Sequence, residues 1–253
     1  MPQFTRTRFR LLFMLLLAGL ILSFVPAMRA HAERPIISCD PSEIHPIWWK
    51  ARNRYDVKVT IQETGQTRTI RKWTAITLVS FNRSGPKTVM LADGTHCTMP
   101  ANAIKVLEDR CTKGDYSTET KTRFVNSRDI TSKTDYMIWV STNVQSLNIF
   151  KGSNRNWTLI KSYSCSTGMA DWETPIGMRS IVAKMKVCHS QMFDSNLINF
   201  LSFGGSGIHK WPGGGMTGKI GVKPCSHACV RLSKSASLWT YNHIPVGTRL
   251  FVY

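Results

Sequence analysis

The sequence predicts a mostly β protein of β+α class, with a small β-barrel in its first half and one short helix in its second. Three observations carry this. Apolar residues recur at period 2 in short runs, tight-turn residues separate the runs, and the segment after Ser233 opens with a helix cap. The chain has 253 residues, 42% hydrophobic and 19% charged. That composition is globular and excludes disorder as the main state. Beyond the N-terminus no apolar run is long enough for a membrane-spanning helix. Lys and Arg total 33 against 15 Asp and Glu, a net charge of +18. So basic a surface favours anionic partners.

The N-terminus reads as a secretory signal. Arg6, Arg8 and Arg10 form a basic start, Leu11 to Val25 an apolar run too short for a span, and Ala30-His31-Ala32 a small-x-small cleavage pattern. Cleavage after Ala32 removes four arginines and no acid, leaving +14. The alternative is an uncleaved N-terminal anchor, the chain's one link to a membrane. Either way the folded part works outside the cytoplasm, in a periplasm or cell wall. Nucleic acid is therefore not expected as a partner, and a monomer is expected.

Residues 33–107 are expected to form the first domain. Its opening, to residue 56, reads as irregular, with Pro35, Pro41 and Pro46; the pair Trp48-Trp49 is assigned to core or a domain interface. Val57, Val59 and Ile61 alternate, and Trp73 to Phe81 is rich in β-favouring residues. A turn cluster spans Asn82 to Pro86, Lys87 to Leu91 is a short strand, Asp93-Gly94 a tight turn, and Ala103 to Leu107 the last strand. The order resembles a bacterial SH3-like module. Residues 108–134 are polar and read as a linker with a helical turn or two.

From 135 to 253 strands return. Tyr136 to Ser141 and Ser146 to Lys151 form a hairpin around Asn143, followed by strands at Trp157 to Ser166, Arg179 to Val187 and Asn196 to Phe203. The last is nearly all apolar, as in a strand buried on both faces. A Gly-rich stretch from Gly204 to Gly215 intervenes. Ser233 caps a helix running to about Asn242, and Arg249 to Tyr253 closes the chain as a strand.

Seven cysteines are present: Cys39, Cys97, Cys111, Cys165, Cys188, Cys225 and Cys229. In an exported protein an odd count leaves at least one thiol over; the other six pair in an oxidising envelope or stay reduced in a reducing one. The chemistry points to Cys229 as the unbridged thiol. It lies in Ser226-His227-Ala228-Cys229-Val230-Arg231, downstream of Gly207-Ile208-His209. An imidazole beside a thiol lowers its pKa and shuttles its proton. Backbone N–H groups in a turn of small residues, from His227 to Cys229, suit an oxyanion. A zinc site drawn from Cys225, His227, Cys229, His189 and His209 is the lesser alternative, because no second paired-ligand element accompanies Cys225-x3-Cys229. No metal and no cofactor are expected. Arg231 is open to a plainer reading as a solvated arginine.

These residues carry a family resemblance. Ser166-Thr167-Gly168, Thr174-Pro175-Ile176-Gly177, Gly207-Ile208-His209, Ile220-Gly221, the Ser226 to Arg231 run and Val246-Gly247-Thr248 stand in the order found in the L,D-transpeptidases of YkuD type. The resemblance covers about half the chain. It implies a YkuD-type β-sandwich, Cys229 as nucleophile and His209 as general base. It places His227, Ala228, Ser226, Arg231 and Gly207 around the substrate and oxyanion pocket. The implied reaction is cross-linking of peptidoglycan stem peptides through a cysteine thioester with loss of D-alanine. The alternatives are an L,D-carboxypeptidase of the same fold, a non-catalytic wall-binding protein, and a Cys-His endopeptidase, in which the cysteine normally precedes the histidine. Two departures stand out: the family often carries Gly where this chain has Ala228 and Lys210, and Gly213-Gly214-Gly215 looks like an insertion.

Overall fold

A computed structural model describes residues 34–80, 85–213 and 217–253. The expected signal segment, most of the turn cluster after Ser80 and two of the three glycines at 213–215 lie outside the described residues. The first half holds β1 (Ile36–Ile37), β2 (Trp49–Asn53), β3 (Val57–Thr60), β4 (Thr67–Ile70), β5 (Ala75–Ser80), β6 (Lys87–Met90), β7 (His96–Met99), β8 (Ile104–Asp109), β9 (Asp115–Tyr116) and helix α1 (Thr118–Asn126). The second half holds β10 (Tyr136–Ser141), β11 (Ser146–Ser153), β12 (Asn156–Ser164), β13 (Gly177–Ser180), β14 (Ala183–Ser190), β15 (Ser195–Ser202), β16 (Gly207–Lys210), β17 (Val230–Leu232), helix α2 (Lys234–His243) and β18 (Arg249–Val252). The class is mostly β, with two helices where the sequence suggested one and a turn or two.

In the first half a five-stranded sheet runs β7-β6-β5-β2-β8, with the β3–β4 hairpin linked to it by the bridge Ile61 to Cys97. Its core gathers Trp49, Leu78, Val89, Cys97 and Met99. Strand β2 falls in the stretch expected to be irregular. Its inward residues are Trp49, Ala51 and Asn53, and the polar Asn53 hides the apolar alternation. Asn53 is fully buried; its Nδ2 donates to the carbonyls of Tyr55, Ile70 and Arg71, and its Oδ1 has no hydrogen-bond partner among the described residues. Trp49 joins the core, while Trp48 stacks on His45 with ring centres 3.8 Å apart.

The second half packs two sheets face to face, β12-β11-β10-β18-β13 and β14-β15-β16-β17. Between them lie Ile138, Val140, Leu147, Leu201, Ile208, Val230, Leu250 and Val252. Period 2 turns Met137 and Trp139 of β10 to the opposite face, where Phe124 and Val125 of α1 cover them together with Phe150, Trp157 and Phe251. The polar stretch 108–134 thus supplies the second wall of the five-stranded sheet. Ser117 caps α1 by accepting from Thr120 N, and Arg128 lies 3.5 Å over the Phe124 ring.

One expected strand, Arg179 to Val187, divides in two. β13 pairs with β18 and β14 with β15, in different sheets. At the crossing Ile181 donates its N–H to Thr248 O, and Val182 donates to Ser202 O. Apolar alternation continues across the break, so the pattern alone does not mark it. β15 also differs from expectation: Phe200 and Leu201 are buried, but Leu197 and Ile198 are only half-buried. The β14–β15 hairpin extends past the sandwich there, so its apolar run is not covered on both sides. Helix α2 starts as expected, Ser233 Oγ accepting from Ala236 N at 3.2 Å.

No helix among the described residues is long and apolar enough to cross a membrane. Phe124 is fully buried, so Phe124→Ala should cost about 3–5 kcal/mol by loss of contacts and an unfilled cavity. A urea-denaturation midpoint close to that of the unsubstituted protein would show that α1 does not anchor the sheet.

Candidate active site

The site is built on the parallel pair β16–β17. Ile208 pairs with Val230 and His209 with Arg231. Ile208, Val230 and Leu232 point into the core. Alternation therefore sends His209, Arg231 and, at the entry to β17, Cys229 to the other face. There they line a cavity of about 400 Å³ together with His227, Trp172 and Phe193. Sequence reasoning placed Cys229 and His209 together, and the fold brings both to this cavity.

His209 is 1% exposed, and its Nδ1 lies 2.6 Å from Lys210 O. A carbonyl only accepts, so Nδ1 is the donor and Nε2 keeps its lone pair for a proton. Burial pushes the imidazole down to about 4, the Lys210 carbonyl opposing the shift and the charge of Arg231 adding to it. His209 is therefore neutral at ordinary pH. Gly207 does not line the cavity; a Cβ there would sit 2.1 Å from the Phe200 ring. The absent side chain makes room for Phe200, which lies beside His209 with ring centres 6.2 Å apart.

The turn from Cys225 to Cys229 is held by its carbonyls. Cys225 O accepts from Arg231 Nη1 at 2.9 Å, Ser226 O from Met169 N at 3.0 Å and Ala228 O from Thr174 Oγ1 at 2.9 Å. Ser226 Oγ donates to Cys229 O. Ser226 and Ala228 thus shape the turn from beneath and do not line the cavity. The N–H groups of His227 and Ala228 have no hydrogen-bond acceptor among the described residues. Two free donors beside a thiol suit a developing oxyanion.

Ala228 is buried and has φ +81°, the left-handed region in which the family's usual glycine is at ease. Thr174 clamps the strained residue from below, and its Oγ1 also accepts from Gly168 N at 2.9 Å. Gly168 cannot carry a side chain, since a Cβ would meet Trp172 O at 2.0 Å. The motifs around Gly168 and Thr174 are therefore parts of the support of the cysteine turn.

Arg231 is half-buried, its guanidinium 4.9 Å from the Trp211 ring centre. It is a brace within the site rather than a solvated arginine. Burial lowers its pKa, and the sulfurs of Cys225 and Cys229 draw it back up. His227 packs against Trp172 at 5.2 Å and Phe193 at 4.3 Å between ring centres, and its Nδ1 is buried without a hydrogen-bond partner. Burial, then the charge of Arg231, lowers its pKa. Sequence reasoning missed Trp172 and Phe193; aromatic residues in polar loops were their only signal. All seven cysteines are outside disulfides. No group of three or more His, Cys, Asp or Glu fit to hold a metal occurs among the described residues.

Two measurements follow. A left-handed backbone costs an L-residue about 1–2 kcal/mol, and glycine's extra freedom when unfolded returns about 0.4–1 kcal/mol. Ala228→Gly should therefore stabilise the protein by on the order of 0.5–1 kcal/mol in chemical denaturation; a clear loss would contradict the strain. His209 takes up a proton near 6.5 when unfolded and near 4 when folded. As pH falls through that window the unfolded chain binds a proton the fold refuses, so stability is lost on acidification. The unsubstituted protein should lose about 3 kcal/mol relative to His209→Gln between pH 7 and pH 4. A constant difference would mean that the imidazole is not held neutral.

Comparison with solved structures gives the following similarities. A fused Zn-dependent amidase/peptidase/peptidoglycan-binding domain-containing protein from Clostridium acetobutylicum is 23% identical with a TM-score of 0.46, over 54% of this chain and 59% of that one. An L,D-transpeptidase from Stackebrandtia nassauensis is 20% identical with a TM-score of 0.43, over 55% and 68%. One from Mycobacterium smegmatis is 14% identical with a TM-score of 0.42, over 70% and 82%. The chain thus spans less than two thirds of the first of these proteins. No curated protein matches it. The β-sandwich that presents Cys229 and His209 spans residues 135–252, which match the model of the YkuD L,D-transpeptidase catalytic domain.

Proposed function

We propose that the protein is an exported L,D-transpeptidase that cross-links peptidoglycan stem peptides through a thioester on Cys229. One observation carries the reading. Neighbouring parallel strands deliver a cysteine and a neutral, tautomer-fixed histidine to one face, where they line one cavity. Such a pair performs acyl transfer.

The Cys229 thiol gives its proton to His209 Nε2, and the sulfur attacks the carbonyl of the third residue of a stem peptide. The N–H groups of His227 and Ala228 hold the oxyanion. Collapse of the tetrahedral intermediate breaks the peptide bond, and the proton held by His209 leaves on the amine of D-alanine. The side-chain amine of a second stem then attacks the thioester. It loses a proton to His209 and forms the cross-link, while the sulfur recovers its proton. Water in place of that amine would give a carboxypeptidase instead. Trp172 and Phe193 supply apolar walls that limit water at the sulfur. The first half of the chain is read as an accessory SH3-like module, and the basic surface as a match for an anionic wall polymer.

Digestion of purified wall sacculi followed by muropeptide mass analysis tests the reading. Cross-linked dimers are expected with the unsubstituted protein and none with Cys229→Ala, whose far-ultraviolet circular dichroism should be unchanged. Shortened monomers alone would assign the carboxypeptidase reaction. Turnover retained by Cys229→Ala would end the proposal, as would the absence of a carbapenem adduct on Cys229 in folded protein.

A further inference from the structure

Glu173 lies outside the cavity that holds Cys229 and is not used in the reaction above. It is 8% exposed, in the segment between Gly168 and β13. One carboxyl oxygen accepts from Asp171 N at 2.6 Å, and the other is buried with no hydrogen-bond partner among the described residues. It lines a small cavity, of about 10 Å³, where the two halves of the chain meet. Ile47, Trp49 and Val79 come from the first half, Thr167 and Thr174 from the second. The charged groups acting on Glu173 are Asp171, in its own segment, and Lys87, on β6 of the first half. Lys87 is itself 5% exposed. The next residue after Glu173 is Thr174, which joins Gly168 N to the carbonyl of strained Ala228.

We propose that Glu173 is a positioning residue for the nucleophile turn: its buried carboxylate, holding Asp171 N beside the residues of the first half that line the same small cavity, fixes the segment that carries Thr174, and Thr174 fixes the Ala228 carbonyl. The inference rests on Cys229 being the nucleophile. Ionised, the carboxylate accepts more strongly from Asp171 N and attracts Lys87. Protonation weakens both, and the turn loses its support from the first half. Burial pushes this carboxyl up to about 7 against the hydrogen bonds from the N–H groups of Glu173 and Asp171; the charge of Asp171 adds to the rise and that of Lys87 opposes it. The support is therefore present on the alkaline side of neutrality and released on the acid side.

The test follows Cys229 alkylation by iodoacetamide in the full chain, read by peptide mass from about pH 5.5 to about pH 8.5. Gln resembles the protonated acid. The rate for the unsubstituted protein divided by that for Glu173→Gln should be near one at the acid end. It should rise to about tenfold at the alkaline end, with its midpoint near 7. A merely structural role predicts a flat ratio, and a flat ratio overturns the proposal. Lys87→Met keeps the carboxyl and removes its counter-charge, so the midpoint in that variant should move to higher pH. An unmoved midpoint also overturns the proposal; this arm compares the variant's own rate profile against pH with that of the unsubstituted protein, so it holds if Glu173→Gln fails to fold. Carbapenem acylation run in parallel separates the two readings. If alkylation follows the expected profile while no carbapenem adduct forms, the transpeptidase reading fails and the role of Glu173 stands.

Discussion

The site depends on one short turn, four of whose five carbonyls are engaged from below. Arg231 takes the carbonyl of Cys225, Met169 that of Ser226, Thr174 that of Ala228, and the Ser226 hydroxyl that of Cys229. With the acceptors held, the peptide planes have little freedom, and the N–H groups of His227 and Ala228 are left without protein partners. A reacting carbonyl that turns into an oxyanion needs donors already in place, because donors that must reorient cost free energy in the step itself. The backbone at Ala228 adopts its left-handed conformation within this pinned frame.

Electrostatics follow from where the strands put the groups. His209 is buried and donates through Nδ1, which leaves it neutral with Nε2 as the receiving atom. Arg231, one strand away in register, bears a fixed positive charge close to the sulfurs of Cys225 and Cys229. The division of labour is between a neutral proton acceptor and a fixed cation. It requires both residues to share the sheet face that β16 and β17 turn away from the core, which period-2 alternation ensures as long as Ile208 and Val230 stay inside.

Much of this was legible in the sequence because it lives in local pattern. Tyr136 to Val140 is a continuous apolar run rich in β-favouring residues, Ser233 is a cap followed by a helix, and the motif from Ser226 to Arg231 contains the candidate nucleophile Cys229. What escaped depends on distant partners. β2 was hidden because it buries a polar residue, Asn53, whose Nδ2 donates to carbonyls up to 18 residues away. The crossing at Ile181 and Val182 was hidden because both sides of it are strand and only tertiary pairing separates them. α1 lay in a stretch too polar to suggest burial, yet it places Phe124 under Trp139. Glu173 carried no signal at all, since its meaning comes from Lys87 on another sheet and from its neighbour's grip on Ala228.

The left-handed alanine has a consequence for how the molecule responds to heat. The cysteine turn adds strain to a sandwich whose packed interior does not share it, so its free energy of opening is lower than that of the surrounding strands. A warmed sample should then lose function through a local event, with its amides exchanging with solvent early, while the circular dichroism of the sheets still reads as native. Heat inactivation and global melting would be two separate transitions of one chain, divided at the residue where a methyl group occupies a place suited to hydrogen.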